Sequence, residues 1–473
     1  MKILIVSHNA FSATNNMGKT LASYFSAFDK AELAQLYIHN DTPRFDLCDN
    51  YYQITDGDML RSLLSRRSGR VVTEFDTPAE AESDATRAAY RRGSRRTPAV
   101  FIARNTLWRL GAWRTRALLD WVDGFAPDLV FFAAGDYSFS YDIALTLARH
   151  RGVPLAVACV DDFYLYNANS RRPLGRAVHR SFMRTVRRTM DYASVIFTIC
   201  DKMATDYAAL FDRPTAVLHT AATLASACEK APTEAEGEKT DGACENAVTH
   251  DFVCENAVTH DSVCENAHAR DTNDGAEGTA TDIREVKAIS YVGNLALGRD
   301  RSLIEIGRAL ASLSLVGAPR RIDVYSQETD PAILSGMTAE NGILFHGAID
   351  SDGVARVIRD SLAVIHTESL DPVHTGRVAY SVSTKIADSL GAGACIFAYG
   401  PSSVASMEYL AANGAAVCVT SPDGLTDALT EMLTDPDLPA RVRENARALA
   451  EENHNPQKNS RQLRARLGAL IAP

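Results

Sequence analysis

The chain has 473 residues, 46% of them hydrophobic, enough apolar material to fill two cores of ordinary domain size. It contains no run of 18 apolar residues, and KILIVS begins a strand directly after Met1, so a membrane-spanning class is excluded and a cytoplasmic location is expected. The net charge of −10 divides unevenly, with +5 over residues 1–222, −11 over 223–286 and −4 over 287–473. Of the nine Cys residues, Cys159, Cys200, Cys395 and Cys418 lie in or beside apolar runs and read as small hydrophobes, as in a reducing compartment.

Strands and helices alternate from the start. A strand at 3–7 precedes a loop, a helix at about 18–28, and strands at 34–39 and 51–55. Later strands are predicted at 128–134, 155–160, 194–198 and 216–219, apolar runs bounded by Gly, Pro and Asp, as in sheets covered on both faces. Residues 13–20, ATNNMGKT, imitate a phosphate loop, but a true one follows its strand almost at once, and here residues 8–12 intervene. What remains is a helix start whose amides at Gly18 and Lys19 face a cleft, a candidate acceptor-side contact. Asp56-Gly57-Asp58 resembles the Asp-x-Asp that holds a metal against a diphosphate. Helix capping by Asp56 or Asp58 accounts for it at least as well, and no metal is assigned.

Residues 61–116 hold 13 Arg interleaved with Phe101, Ile102, Trp108, Leu110 and Trp113. The stretch reads either as a solvated face or as a basic amphipathic surface that docks on anionic lipid at the membrane's inner face. No recognition-helix or base-stacking pattern accompanies the charge, so nucleic acid is not expected as a partner. Asp161 and Asp162 end the strand at 155–160, where adjacent carboxylates can hold an acceptor's hydroxyls or cap a turn.

Between 223 and 286 a ten-residue period appears: CENAVTHDFV from Cys244, CENAVTHDSV from Cys254, and a decayed CENAHARD from Cys264. With hardly any large apolar residue, this segment cannot offset chain entropy by burial, and a disordered acidic linker is expected. One lone Cys per repeat does not match the paired spacing of zinc sites.

The strand–helix rhythm restarts at 287. Strands are predicted at 288–292, 322–325, 343–346, 363–366, 394–398 and 416–420, with helices beginning near Ser302, Ser351, Ser383, Ser402 and Leu425. A polar helix from about Pro439 closes the chain, and segment 439–473 is expected to pack back on the first domain. The fold class is therefore α/β, two tandem doubly wound Rossmann-like domains (1–222 and 287–438) facing across a cleft.

Three connections of the second domain carry chemistry to one rim. Gly293 and Asn294 follow the first strand directly, and Arg299 is placed to neutralise a departing diphosphate. Glu368 lies just past the strand at 363–366. Ser383 and Thr384 open a helix that carries Lys385 and Asp388 on one face and ends at Gly391 and Gly393.

YVGNLALGRD, HTESLD and STKIADSLGAGACIFAYGP, in that order, resemble the donor-binding domain of GT-B glycosyltransferases of the family-4-like, group 1 type found in bacterial cell-surface polysaccharide synthesis. The resemblance implies that Gly293, Arg299 and Lys385 contact the diphosphate, that Asp388 takes the ribose hydroxyls, and that Glu368 faces the donor sugar. It covers residues 287–425, and it departs from the group in two respects, one of them an interdomain linker much longer than usual. Two glutamates eight apart are usual, whereas Glu368 and Asp388 stand twenty apart and the second is Asp.

The function so implied is transfer of a sugar from a nucleotide-diphosphate donor to a cell-surface glycan or lipid-linked acceptor, retaining and metal-independent, with the nucleotide sugar as substrate and no cofactor. Arg299, Lys385 and Glu368 would carry the chemistry. A sugar-nucleotide epimerase of the same fold and a non-catalytic sugar-nucleotide-binding scaffold are the alternatives.

Overall fold

The computed structural model describes residues 1–12, 16–76, 98–165, 173–224 and 287–471. The acidic repeat, residues 13–15 of the loop-like pattern, and Arg91, Arg92, Arg95 and Arg96 of the basic stretch lie outside the described residues.

Fourteen strands among the described residues form two sheets. The first joins β1 (Ile3–Ser7), β2 (Leu33–Tyr37), β3 (Asn50–Gln53), β4 (Arg70–Val72), β5 (Leu129–Ala134), β6 (Leu155–Cys159), β7 (Val195–Thr198) and β8 (Thr215–Val217) in the order β4-β3-β2-β1-β5-β6-β7-β8. All neighbours are parallel except β3 and β4. The second joins β9 (Ile289–Val292), β10 (Ile322–Tyr325), β11 (Ile343–Gly347), β12 (Ala363–Thr367), β13 (Ile396–Tyr399) and β14 (Val417–Val419) in the order β11-β10-β9-β12-β13-β14, parallel throughout. Runs such as LVFFAA and LAVAC are buried along their whole length, because helices cover both faces of the sheet.

Each sheet reverses direction once, at β1 between β2 and β5, and at β9 between β12 and β10. Loops leaving the carboxyl ends of strands diverge at such a point and leave a crevice, so the topology alone names two places for a ligand.

Several boundaries differ from expectation for local reasons. The helix placed near Ser302 starts at Arg299, because Gly298 in the left-handed region (φ +79°) ends the loop three residues earlier. The one placed near Ser402 runs Ala405–Ala412, and β13 begins two residues later and ends one residue later than the predicted run. Strand β4 and the helix Pro372–Val378 went unpredicted, both being short. The closing segment is two helices, Asp437–Leu449 and Pro456–Ile471, separated by a π-turn at Ala450–His454. The last of these lies against the first sheet's layer, with Leu463 and Leu467 fully buried beside Ile3, Phe25 and Phe131. Lys202 ties the two halves directly, its Nζ donating to Glu408 Oε1 and to the Ser403 carbonyl, each at 2.6 Å.

Candidate active site

At the second sheet's reversal, the loop after β9 turns through Gly298 into the helix Arg299–Ser312. A Cβ on Gly298 would lie 2.6 Å from Ser369 Oγ, so the turn admits only glycine. Arg299 stands in the first turn of that helix. Its Nε and Nη2 donate to the two oxygens of Glu368 at 3.0 and 2.9 Å, a two-pronged pair in which the carboxylate is almost wholly buried. Burial raises the Glu368 carboxyl above its ordinary range and the Arg299 charge opposes that rise. Arg299 itself stays firmly charged: burial works against its charge, but Glu368 outweighs it.

The helix Thr384–Gly391 points its start at the same place. Ser383 caps it, its Oγ accepting from Lys385 N at 3.2 Å. Lys385 has no carboxylate within ion-pair distance among the described residues, which leaves a cation without an internal partner at the rim. One turn on, Asp388 is buried, and its Oδ1 accepts from both N and Oγ1 of Thr223 at 2.9 and 2.8 Å. Asn294 has a structural task as well: its Oδ1 accepts from Ala296 N at 2.6 Å and shapes the turn.

Two cavities meet here and share Val292, Gly293, Asn294 and Lys385. The smaller, about 180 Å³, reaches Arg299, Glu368 and His366. His366 is held neutral, its pKa pushed down to about 3 by burial and then by Arg299. The larger, about 860 Å³, passes Thr384 and Asp388 and is walled on the far side by Lys19, Thr20 and Ser23 of the first half, with Thr220, Thr223 and Leu224 at the crossing. That volume lies within the range of small-molecule sites. Gly18 sits behind this wall, where a Cβ would come within 2.5 Å of the Ala10 carbonyl oxygen, so its bareness lets the helix Asn16–Tyr24 close on the preceding loop.

The structure thus gathers Gly293, Asn294, Arg299, Glu368, Ser383, Thr384, Lys385, Asp388 and Lys19 around connected space. It does not bring Asp161 and Asp162 there. Asp162 Oδ1 accepts from Tyr164 N, Leu165 N and Tyr207 Oη, which assigns it to holding a turn. The Asp56-Gly57-Asp58 segment is also spoken for. Thr55, not either aspartate, caps the helix Asp56–Ser65, with Asp58 closing the capping box. Asp56 Oδ1 accepts from Trp108 Nε1 at 2.6 Å and Arg104 Nε at 3.0 Å. Among the described residues no three His, Cys, Asp or Glu form a group able to hold a metal ion.

A second constellation went unread in the sequence. At the first sheet's reversal, His8 follows β1, His39 and Asp41 follow β2, and Asp136 and Tyr137 follow β5, with Arg104 stacked 4.3 Å above the Tyr137 ring. Its signal was available in position, since each of these except Arg104 lies within four residues of a strand's carboxyl end.

Residues 305–465 match the model of a family described as glycosyl transferase-like. No curated protein matches the chain. Among solved structures, sucrose-phosphate synthase from Thermosynechococcus elongatus is similar over 100% of this chain and 99% of its own, at 9% identity and a TM-score of 0.56. Anabaena HepE, solved with UDP, is similar over 99% and 100% at 11% identity and a TM-score of 0.58. A Listeria monocytogenes protein described as a UDP-N-acetylglucosamine 2-epimerase is similar over 99% and 96% at 11% identity and a TM-score of 0.50. The fold is GT-B: two Rossmann-like units, the second carrying a glycosyl transferase-like region.

Proposed function

We propose that the chain is a glycosyltransferase that moves a sugar from a nucleoside-diphosphate donor to a hydroxyl of a cell-surface glycan or lipid-linked acceptor. The observation that carries this reading is the cation pair at one reversal point: Arg299 at a helix start and Lys385 with no carboxylate partner among the described residues, both beside Gly293. Fixed positive charge aimed at a departing diphosphate lowers the barrier to leaving, and a site with those cations has no need of a metal for that step. Asp388, with one oxygen held by Thr223, would take the ribose through the other, and Glu368 would meet the donor sugar. HepE, solved with UDP-glucose, supports a nucleotide-sugar ligand for this cleft.

The test is a thermal-shift panel of UDP, GDP and their sugars, since a cleft ligand stabilises by mass action. Stabilisation by a nucleotide sugar that Lys385→Ala abolishes supports the reading; no stabilisation by any member sinks it. The epimerase alternative has the Listeria neighbour in its favour. Release of free nucleotide with an altered sugar and no glycosylated product would decide for it, and binding without any turnover would decide for a scaffold.

The same proposal places the protein at a membrane's inner face. No helix among the described residues is long and apolar enough to cross a membrane. The packed helices Asp56–Ser65 and Pro98–Leu110 and the residues that follow them expose Leu63, Leu64 and Leu110 together with Arg61, Arg66, Arg67, Arg109 and Arg114, and Phe75 is exposed as well. Apolar and basic groups interleaved in this way match an anionic lipid surface.

A further inference from the structure

The larger cavity changes sign along its length. Lys19 and Lys385 line one part of it, whereas Glu328 and Asp350, on the loops that follow β10 and β11, line another. Neighbouring strands lie about 5 Å apart, so in the order β11-β10-β9-β12 these two loops leave the sheet about 5 and 10 Å from β9, the strand that ends beside Gly293. A nucleoside diphosphate with its phosphates at Arg299 and Lys385 and its ribose at Asp388 has this wall left for its base.

Glu328 is fixed there by its own turn. Its N donates to Ser326 Oγ at 3.2 Å, and its Oε1 accepts from Thr329 N and Asp330 N, each at 3.0 Å. Asp350 adds a second carboxylate, whose Oδ1 caps the helix Ser351–Asp360 by accepting from Gly353 N at 2.7 Å. Among the described residues, neither carboxylate has a Lys, Arg or His within ion-pair distance, and no hydrogen bond engages Glu328 Oε2 or Asp350 Oδ2. Tyr325 lines the same wall, its ring stacked on His346 with centroids 4.6 Å and planes 10° apart, and His346 Nε2 lies 3.3 Å from Asp323 Oδ1. An aromatic surface takes the face of any base, so the choice among bases falls to the carboxylates.

A carboxylate accepts hydrogen bonds and gives none. Uracil offers one ring N–H between two carbonyl oxygens, so a carboxylate at that edge meets one donor and two repelling acceptors. Adenine and cytosine each offer one amino group beside an accepting ring nitrogen. Guanine sets two donors side by side, the N1–H and the 2-amino group. We infer that the donor is a guanosine diphosphate sugar, with the Glu328 carboxylate accepting from guanine N1 and from its 2-amino group. The same wall turns uridine away by repulsion, which makes Glu328 the residue that selects the base. This rests on the transferase reading and names the substrate class of the same cleft.

The experiment titrates the full chain calorimetrically with GDP, UDP, ADP and inosine diphosphate, which is GDP without the 2-amino group. GDP should bind about 10–100-fold more tightly than the other three, the span that hydrogen bonds to a charged group cover. Glu328→Gln should weaken GDP by about that factor and close its gap to inosine diphosphate. UDP affinity in the variant should stay within about threefold of the parent or rise, and its persistence shows that the variant still folds. UDP or ADP binding more tightly than GDP to the parent overturns the guanine assignment, and so does an equal loss of GDP and UDP in Glu328→Gln, which would give Glu328 the task of shaping the loop. Either result leaves the transferase reading standing. Failure of all four diphosphates, and of the nucleotide sugars with them, to bind the parent overturns the transferase reading and this one with it.

Discussion

Arg299 and Glu368 hold each other in a fork of two hydrogen bonds at the spot where a diphosphate would arrive. A buried carboxylate on the cation's own prongs competes with an incoming phosphate. Glu368→Gln should therefore tighten binding of UDP or GDP roughly tenfold, about 1.4 kcal/mol, while transfer slows because the sugar loses its carboxylate. Calorimetric titration checks this, and weaker binding would show that Glu368 orients Arg299 rather than occupying it. Lys385→Ala should lower turnover about 10²-fold, the usual cost of losing one fixed donor to developing negative charge, readable in nucleotide release. The second rim was legible because a Gly turn, a cation and a capped helix leave marks in sequence. The pairing of residue 299 with 368 left none, since it depends on β12 lying beside β9. Likewise, Asp161 and Asp162 had the right position after a strand, but Asp162 is engaged by the turn that follows it and by Tyr207 from a distant helix, a partner that sequence spacing does not mark.

At the scale of elements, the helix Pro456–Ile471 is the strut of the molecule. Ser460 Oγ donates to the Tyr24 carbonyl at 2.7 Å and accepts from Ala27 N at 2.8 Å, and Arg464 Nη2 donates to Glu32 Oε1 at 2.8 Å. Leu463→Ala should cost about 2–5 kcal/mol, measured by denaturant unfolding, as for other fully buried leucines. The sequence pattern indicates a polar helix from Pro439 onward, but the break at Ala450–His454 leaves no mark in it. That break is held by His454 Nδ1 donating to the Thr220 carbonyl, 234 residues away in sequence. The helix Asp56–Ser65 carries the other prediction at this scale. Its outer face, with Leu63 50% and Leu64 94% exposed, has no covering partner among the described residues. The chain should sediment with phosphatidylserine vesicles at low salt, and Leu64→Asp with Phe75→Asp should weaken that binding about tenfold. Unaltered sedimentation would leave the sector a solvated face.

The whole molecule should be sensitive to acid. His8, His39, His219, His366 and His454 all have pKa values lowered chiefly by burial, His219 to about 4. Unfolding returns each to its ordinary value near 6.5, so below that pH the unfolded chain binds more protons and gains. The stabilisation is complete above pH 6.5 and is lost as pH falls towards the folded values. His219 alone would account for about 3 kcal/mol by pH 4, because each tenfold rise in proton concentration between its unfolded and folded values costs about 1.4 kcal/mol. Glu368, with its raised value, works in the opposite sense, one carboxyl against several imidazoles. Melting temperatures at pH 7, 6 and 5 should fall progressively, and His219→Asn should flatten the slope. Two doubly wound sheets were legible from the period of buried runs. Their joining was not, because Lys202 with Glu408 and Tyr380 with Asp206 link positions about 200 and 174 apart.

The returning helix also bears on how the protein is made. Residues that close the first sheet's apolar layer leave the ribosome more than 200 residues after that sheet's last strand, Thr215–Val217. Until then the nascent first half presents the groove meant for Leu463 and Leu467 to its surroundings, and contacts of such sequence separation form slowly. Synthesis of this chain therefore holds a window in which its N-terminal half depends on chaperones, and a transcript truncated before residue 456 yields a product that keeps that need for life.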